Sequence, residues 1–140
     1  MALIWTKQLS VGNATLDAEH KDLISIVNSI EYAVETRDCS YLLLSIKRFM
    51  ECVHAHFENE ERFAQAINLP FDRHELAHRH LRNELQHTRD QLEAKNGVWP
   101  EYMMDYYPQL LMEWLAEHVA RDDMQMKLSL LAYPYDFKPG

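Results

Sequence analysis

Residues 42–67 read LLLSIKRFMECVHAHFENEERFAQAI. Within that stretch Leu42, Ile46, Phe49, Val53, His56, Glu60, Phe63 and Ile67 advance by threes and fours, the period that keeps side chains on one face of an α-helix. Two members of an otherwise apolar seam, His56 and Glu60, are polar. Leaving such groups unpaired in a helical core costs on the order of 1–3 kcal/mol, so the seam predicts a partner for both.

The same exception recurs in three other segments. Leu16, His20, Leu23, Val27, Ile30 and Val34 form one seam; Phe71, His74, His78, Leu81, Leu85 and Leu92 form another; Tyr107, Leu111, Trp114 and His118 form the last. Four helices breaking the apolar pattern in the same way need one shared partner, and a metal cluster provides it. With Asp123 the candidate ligands number seven: His20, His56, Glu60, His74, His78, His118 and Asp123. Five imidazoles each supply one nitrogen, and two carboxylates can each bridge a pair of cations, a set better suited to two irons than to one zinc. His56 with Glu60, and His74 with His78, stand four apart and form chelating pairs on one helix face. His118 and Asp123 stand five apart. That spacing requires a widened turn or a helix end, with Asp122 as the rival ligand at regular spacing.

The fold class follows from the periodicity. The chain has 140 residues, 47% of them hydrophobic, with three glycines and five prolines. One core of ordinary size fits that length, so residues 1–140 read as one all-α domain. Short connections make consecutive helices antiparallel and give an up-down-up-down four-helix bundle, with an N-terminal arm and an irregular C-terminal tail packed on its outside. The helices are expected over roughly 17–37, 41–67, 71–95 and 101–122. Thr15 or Asp17 is the expected cap of the first and Ser40 of the second. Asn68-Leu69-Pro70 separates the second helix from the third, and Asn96-Gly97-Val98-Trp99-Pro100 the third from the fourth. Pro108 either begins the working part of the fourth helix or kinks it.

Charge and composition exclude several functions. A net charge of −8 without a basic stripe argues against nucleic acid. Met1-Ala2-Leu3-Ile4-Trp5-Thr6 is neither a signal peptide nor a membrane span, and the expected location is the cytoplasm. Cys39 and Cys52 are too far apart for a metal pair and read as structural thiols. His54, His80 and His87 lie off the seams and read as exposed, while Glu58 and Glu61 read as solvated acids or as acids standing behind the ligands.

Taken together the motifs resemble the bacterial hemerythrins along nearly the whole chain. They are Ser10-Val11-Gly12, Leu16-Asp17-Ala18-Glu19-His20-Lys21, His56-Phe57-Glu58-Asn59-Glu60-Glu61, Pro70 followed by His74 and His78, and Trp114-Leu115 ahead of His118 and Asp123. The resemblance implies that His74, His78 and His118 hold one iron and that His20 and His56 hold the other. Glu60, Asp123 and an oxo or hydroxo group would bridge them. It further implies that dioxygen binds reversibly as a hydroperoxide at the two-histidine iron, whose open position Leu23, Phe57 and Trp114 would wall off from water. Ala120 stands where bacterial relatives often carry a bulky aliphatic lid, so a wider pocket and faster autoxidation are expected, together with a longer-lived adduct in Ala120→Leu.

Three classes of function are compatible with such a chain: an oxygen binder for storage, delivery or scavenging; a di-iron oxidase or peroxidase; and an oxygen or redox sensing module. Ferritin-like oxidases carry a Glu-x-x-His pattern on each of two helices, which these ligand positions lack. Five neutral imidazoles also stabilise high-valent iron less than carboxylates do. Oxygen binding without catalysis is therefore the favoured reading. An oxygen-consuming protein as partner is left unnamed.

Overall fold

The computed structural model describes residues 3–95 and 99–139, except the side chains of Tyr102, Met103 and Tyr107. Four long helices make up the molecule, and no strand occurs among the described residues. They are α1 (Ala14–Glu35), α2 (Cys39–Ala66), α3 (Asp72–Ala94) and α4 (Glu101–Glu117). Beyond α4 the chain continues as a π-helical turn, His118–Asp122, a 3₁₀ turn, Asp123–Met126, and the short α5, Lys127–Leu130. The expected four-helix all-α bundle is thus what the chain forms.

Each helix buries most of the described part of its predicted seam, with Val34, Ile67, Phe71 and Trp114 half-buried. Leu23, Val27, Ile30, Leu42, Ile46, Phe49, Val53, Leu81, Leu85, Leu92 and Leu111 meet in one core. The Tyr107 seam position and the turn residues 96–98 lie outside the described residues. A smaller cluster of Val11, Leu16, Phe63, Ala64, Met126 and Leu130 closes the end of the bundle where the tail returns. The ligand residues lie in sequence between these two apolar layers, which leaves them a dry interior.

Helix boundaries differ from the expected ones for local reasons. The first helix begins three residues early because Asn13, and neither Thr15 nor Asp17, is its cap: the Asn13 side chain accepts from the backbone N–H of Thr15 and Leu16. Asp38 replaces Ser40 as the cap of α2, accepting from Tyr41 N–H. Both α1 and α2 end in left-handed residues that are not glycine, Arg37 at φ 54° and Asn68 at φ 56°. Each follows a Schellman pattern, with Asp38 N–H donating to Ala33 and Leu69 N–H to Ala64. Pro108 lies inside α4, so the helix runs through it instead of starting there. Lacking an N–H, it leaves the Met104 carbonyl without its usual partner.

Close backbone packing joins α1 to α2, α2 to α3 and α1 to α4. Across the remaining edge, site side chains link the α3 region to the chain beyond α4, His74 to Asp123 and His78 to His118. The tail packs outside the bundle as expected. Tyr135 O–H donates to Asp17 at 2.9 Å, Asn13 Nδ2 donates to the Phe137 carbonyl, and the Tyr135 carbonyl accepts from Ala14 N–H.

Candidate metal centre

All seven predicted ligands are buried, each 8% exposed or less. Their donor atoms fall into two sets, His20, His56, Glu60 and Asp123 on one side and Glu60, His74, His78, His118 and Asp123 on the other. Within each set the donor atoms lie within 4.8 Å of one another. Both carboxylates belong to both sets.

The two oxygens of each carboxylate face opposite histidines. Glu60 Oε1 contacts His56 Nε2 and lies 3.8 Å from His20 Nε2, while Oε2 lies 3.0 Å from His74 Nε2 and 3.7 Å from His78 Nε2. Asp123 Oδ2 lies 2.9 Å from His20 Nε2, and its Oδ1 lies 2.7 Å from His74 Nε2 and 3.0 Å from His118 Nε2. A carboxylate divided in this way can bind one cation through each oxygen.

Local structure makes the convergence possible. On α2 and α3 the chelating pairs use the regular four-residue spacing. The five-residue step from His118 to Asp123 is taken up by the π turn, whose extra residue brings both side chains inward. Asp122 then falls outside the donor sets. Its carboxylate accepts from His118 Nδ1 at 2.8 Å.

The polar accounting fits bound cations. His20 Nε2, His56 Nε2, both Glu60 oxygens and Asp123 Oδ2 are buried without a hydrogen-bond partner among the described residues. Close contacts at poor hydrogen-bond angles, with lone pairs crowded into one interior, are what a cation-binding donor set requires. His78 Nε2 and His118 Nε2 also face each other at 3.0 Å. Five imidazole nitrogens and two shared carboxylates suit two borderline cations of the iron type.

Charge in the cluster is strongly coupled. Burial would keep His20 neutral, but the Asp123 and Glu60 carboxylates outweigh it and raise its pKa to about 9. His56 rises to about 10 against burial through Glu60 and Glu19, and His74 to about 9 through Asp123 and Glu60. At His78 burial prevails, reinforced by the neighbouring His118 and His74, and the value falls to about 3. Burial favours the neutral form of both acids, yet the surrounding histidines hold Glu60 and Asp123 below the ordinary carboxylate range. Protons and metal ions therefore compete for the same nitrogens.

The sequence model of the hemerythrin HHE cation binding domain matches residues 11–127. The chain belongs to the hemerythrin family. It is 24% identical over 122 residues to a protein named bacteriohemerythrin from Pseudomonas aeruginosa strain LESB58, covering 86% of this chain and 76% of the relative. A bacteriohemerythrin from Stenotrophomonas maltophilia R551-3 is 22% identical over 143 residues, covering 99% of this chain and 90% of the relative. No described helix is long and apolar enough to cross a membrane.

Of the four residues expected to line a dioxygen pocket, Leu23 is buried one turn beyond His20. Phe57 and Trp114 pack chiefly against the three-histidine set. Phe57 stacks on His78 with centroids 3.5 Å apart, and Trp114 stacks on His118 at 4.5 Å. Ala120 is exposed, so it does not reach the interior and the lid expectation for it fails. The physical reason is helix geometry: a residue two places after His118 lies about 200° round the helix from it, so with His118 turned to the cluster Ala120 faces solvent, while Val119 is 2% exposed.

Sequence reading missed the residues that orient the ligands. Glu19 accepts from His56 Nδ1 at 2.6 Å and from Asn59 Nδ2 at 2.5 Å, while Arg62 donates to Asn59. Glu19 and Asp122 each fix a ring plane and leave Nε2 facing the cluster. The signal available for Glu19 was its place next to His20 in a half-buried helix turn, which does not reveal that it serves His56. His54, His80 and His87 are exposed, as expected, and Cys39 and Cys52 are free thiols.

Proposed function

We propose that this hemerythrin holds two irons and binds dioxygen reversibly, serving storage, delivery or scavenging without turnover. The observation that carries the reading is the unequal donor count. Three histidines and two carboxylates surround one position, whereas two histidines and the same two carboxylates surround the other. The poorer set has one protein donor fewer, and an open position is what separates a reactive metal from a structural one. Iron bound there would supply the electrons and the open coordination position that dioxygen needs.

The chain's own residues do the rest. Glu60 and Asp123 hold the two positions together through opposite oxygens. Glu19 and Asp122 keep His56 and His118 from rotating, so the donor set is prearranged before any ligand arrives. Leu23, Phe57, Trp114 and Val119 supply apolar surface around the cluster and restrict water. The expected bridge between the irons is an oxo or hydroxo group.

The test uses purified protein, with metal analysis and an optical spectrum taken after anaerobic reduction, then in air, then under vacuum. Two irons per chain and a visible band that appears in air and disappears under vacuum are expected. One zinc per chain overturns the centre. Steady consumption of reductant and oxygen, in place of a reversible band, overturns storage in favour of an oxidase.

A further inference from the structure

Away from the metal ligands, a groove of about 410 Å³ opens between α2 and α3. Half-buried Met50 provides most of its accessible apolar wall, over Val53 and Leu85 at 1% exposure each, and Lys47, Arg82 and Arg89 stand along it. Three cations at one groove run against a chain whose net charge is −8. Glu51 and His54 are the other titratable groups in the lining.

These charges differ in how they are satisfied. Lys47 pairs with Glu93 at 3.1 Å, Arg89 reaches Asp90 at 3.3 Å, and His54 pairs with Glu58 at 3.1 Å. Arg82 has no hydrogen bond or ion pair with any described residue, and its Nε is buried without an acceptor. Its guanidinium lies over the Phe57 ring, 5.3 Å from the centroid, which holds the fork in place beside the groove. A fixed guanidinium with free N–H groups is a ready receptor for a planar anion.

We infer that this groove binds a small organic monocarboxylate, with the carboxylate on Arg82 and the hydrocarbon body against Met50, Val53 and Leu85. One unpaired cation matches one negative charge. A dianion such as phosphate would meet a single free guanidinium and the Glu51 carboxylate, and would leave the apolar wall uncovered. The volume lies within the range of about 300–1,000 Å³ common for small-ligand sites. No metal donor lines the groove, although the Phe57 ring beneath Arg82 also stacks on His78.

Octanoate is the probe, titrated calorimetrically into the iron-loaded protein. Saturable binding at one site per chain is expected, with octanol and inorganic phosphate each weaker by about tenfold or more. Arg82→Gln should weaken octanoate by a similar factor at unchanged iron content. Glu51→Gln, an exposed change that keeps Arg82 intact, should tighten it by removing a like charge. Arg121→Gln, on an exposed guanidinium paired with Glu117, should change nothing. Absence of saturable binding up to about 10 mM, which corresponds to an affinity too weak to assign, overturns the inference. So does octanol binding as well as octanoate, or octanoate affinity unchanged in both Arg82→Gln and Glu51→Gln; the last result would place the carboxylate elsewhere, the metal included.

Discussion

At Asp122 and Asp123, neighbouring carboxylates of the same chemistry have different work because one backbone turn is widened. Asp123 faces both histidine sets, whereas Asp122 accepts from the far nitrogen of His118. Asp123→Ala should therefore leave fewer than two metal ions per chain. Asp122→Ala should retain two, with affinity lower by about 10–100-fold, the usual effect of losing a partner behind a ligand; metal analysis and chelator competition measure both. The reverse ranking would mean that the turn is a regular helix. Val119 and Ala120, which follow His118, also differ, the first buried and the second exposed. Val119→Ala empties buried volume and should cost about 1–3 kcal/mol in denaturant unfolding, while Ala120→Leu adds to an exposed position and should stay within about 0.5 kcal/mol. An oxygen adduct prolonged by Ala120→Leu would contradict the outward placement of that residue.

Among the elements, close backbone packing of the described residues joins α1 with α2, α2 with α3 and α1 with α4. The α3 edge facing His118 and Asp123 is linked through the site's side chains. Metal bound there would tie that edge together. Removing it by chelation should expose the backbone of α3 and of the 118–126 segment to hydrogen exchange before that of α1 and α2. Uniform loss of protection over all four helices would show that the bundle opens as one unit. The boundaries of these helices were only partly legible in the sequence. Apolar periodicity located the seams of α1, α2 and α3, but cap choice depended on local geometry: Asn13 also serves the tail through the Phe137 carbonyl, a contact 124 positions away that no local pattern reveals.

For the molecule as a whole, metal and protons act on the same nitrogens, which sets how stability depends on pH. His20, His56 and His74 have folded-state pKa values raised above the unfolded value of 6.5, to about 9, 10 and 9. Groups raised in this way stabilise the chelated protein fully below about pH 6.5 and lose that contribution as pH rises through 9 to 10. His78, lowered to about 3, acts in the opposite sense and removes stability as pH falls below 6.5. The chelated protein should therefore melt at progressively lower temperature from pH 7 to pH 10, and below the metal-loaded protein throughout. Calorimetric melting of both forms across that range is the check, and a flat profile for the chelated form would remove the charge network as a source of its stability. By itself the sequence determined the helical class and the seven candidate donors, because apolar periodicity and chemically unsuitable residues within it are local properties of the chain. Tertiary structure alone decided that each carboxylate turns one oxygen to each histidine set and that Glu19 serves His56 on another helix. Those outcomes depend on how four helices are rotated and spaced against one another, and the rotation after His118 is fixed by a π turn that a five-residue spacing required without specifying where its extra residue would point.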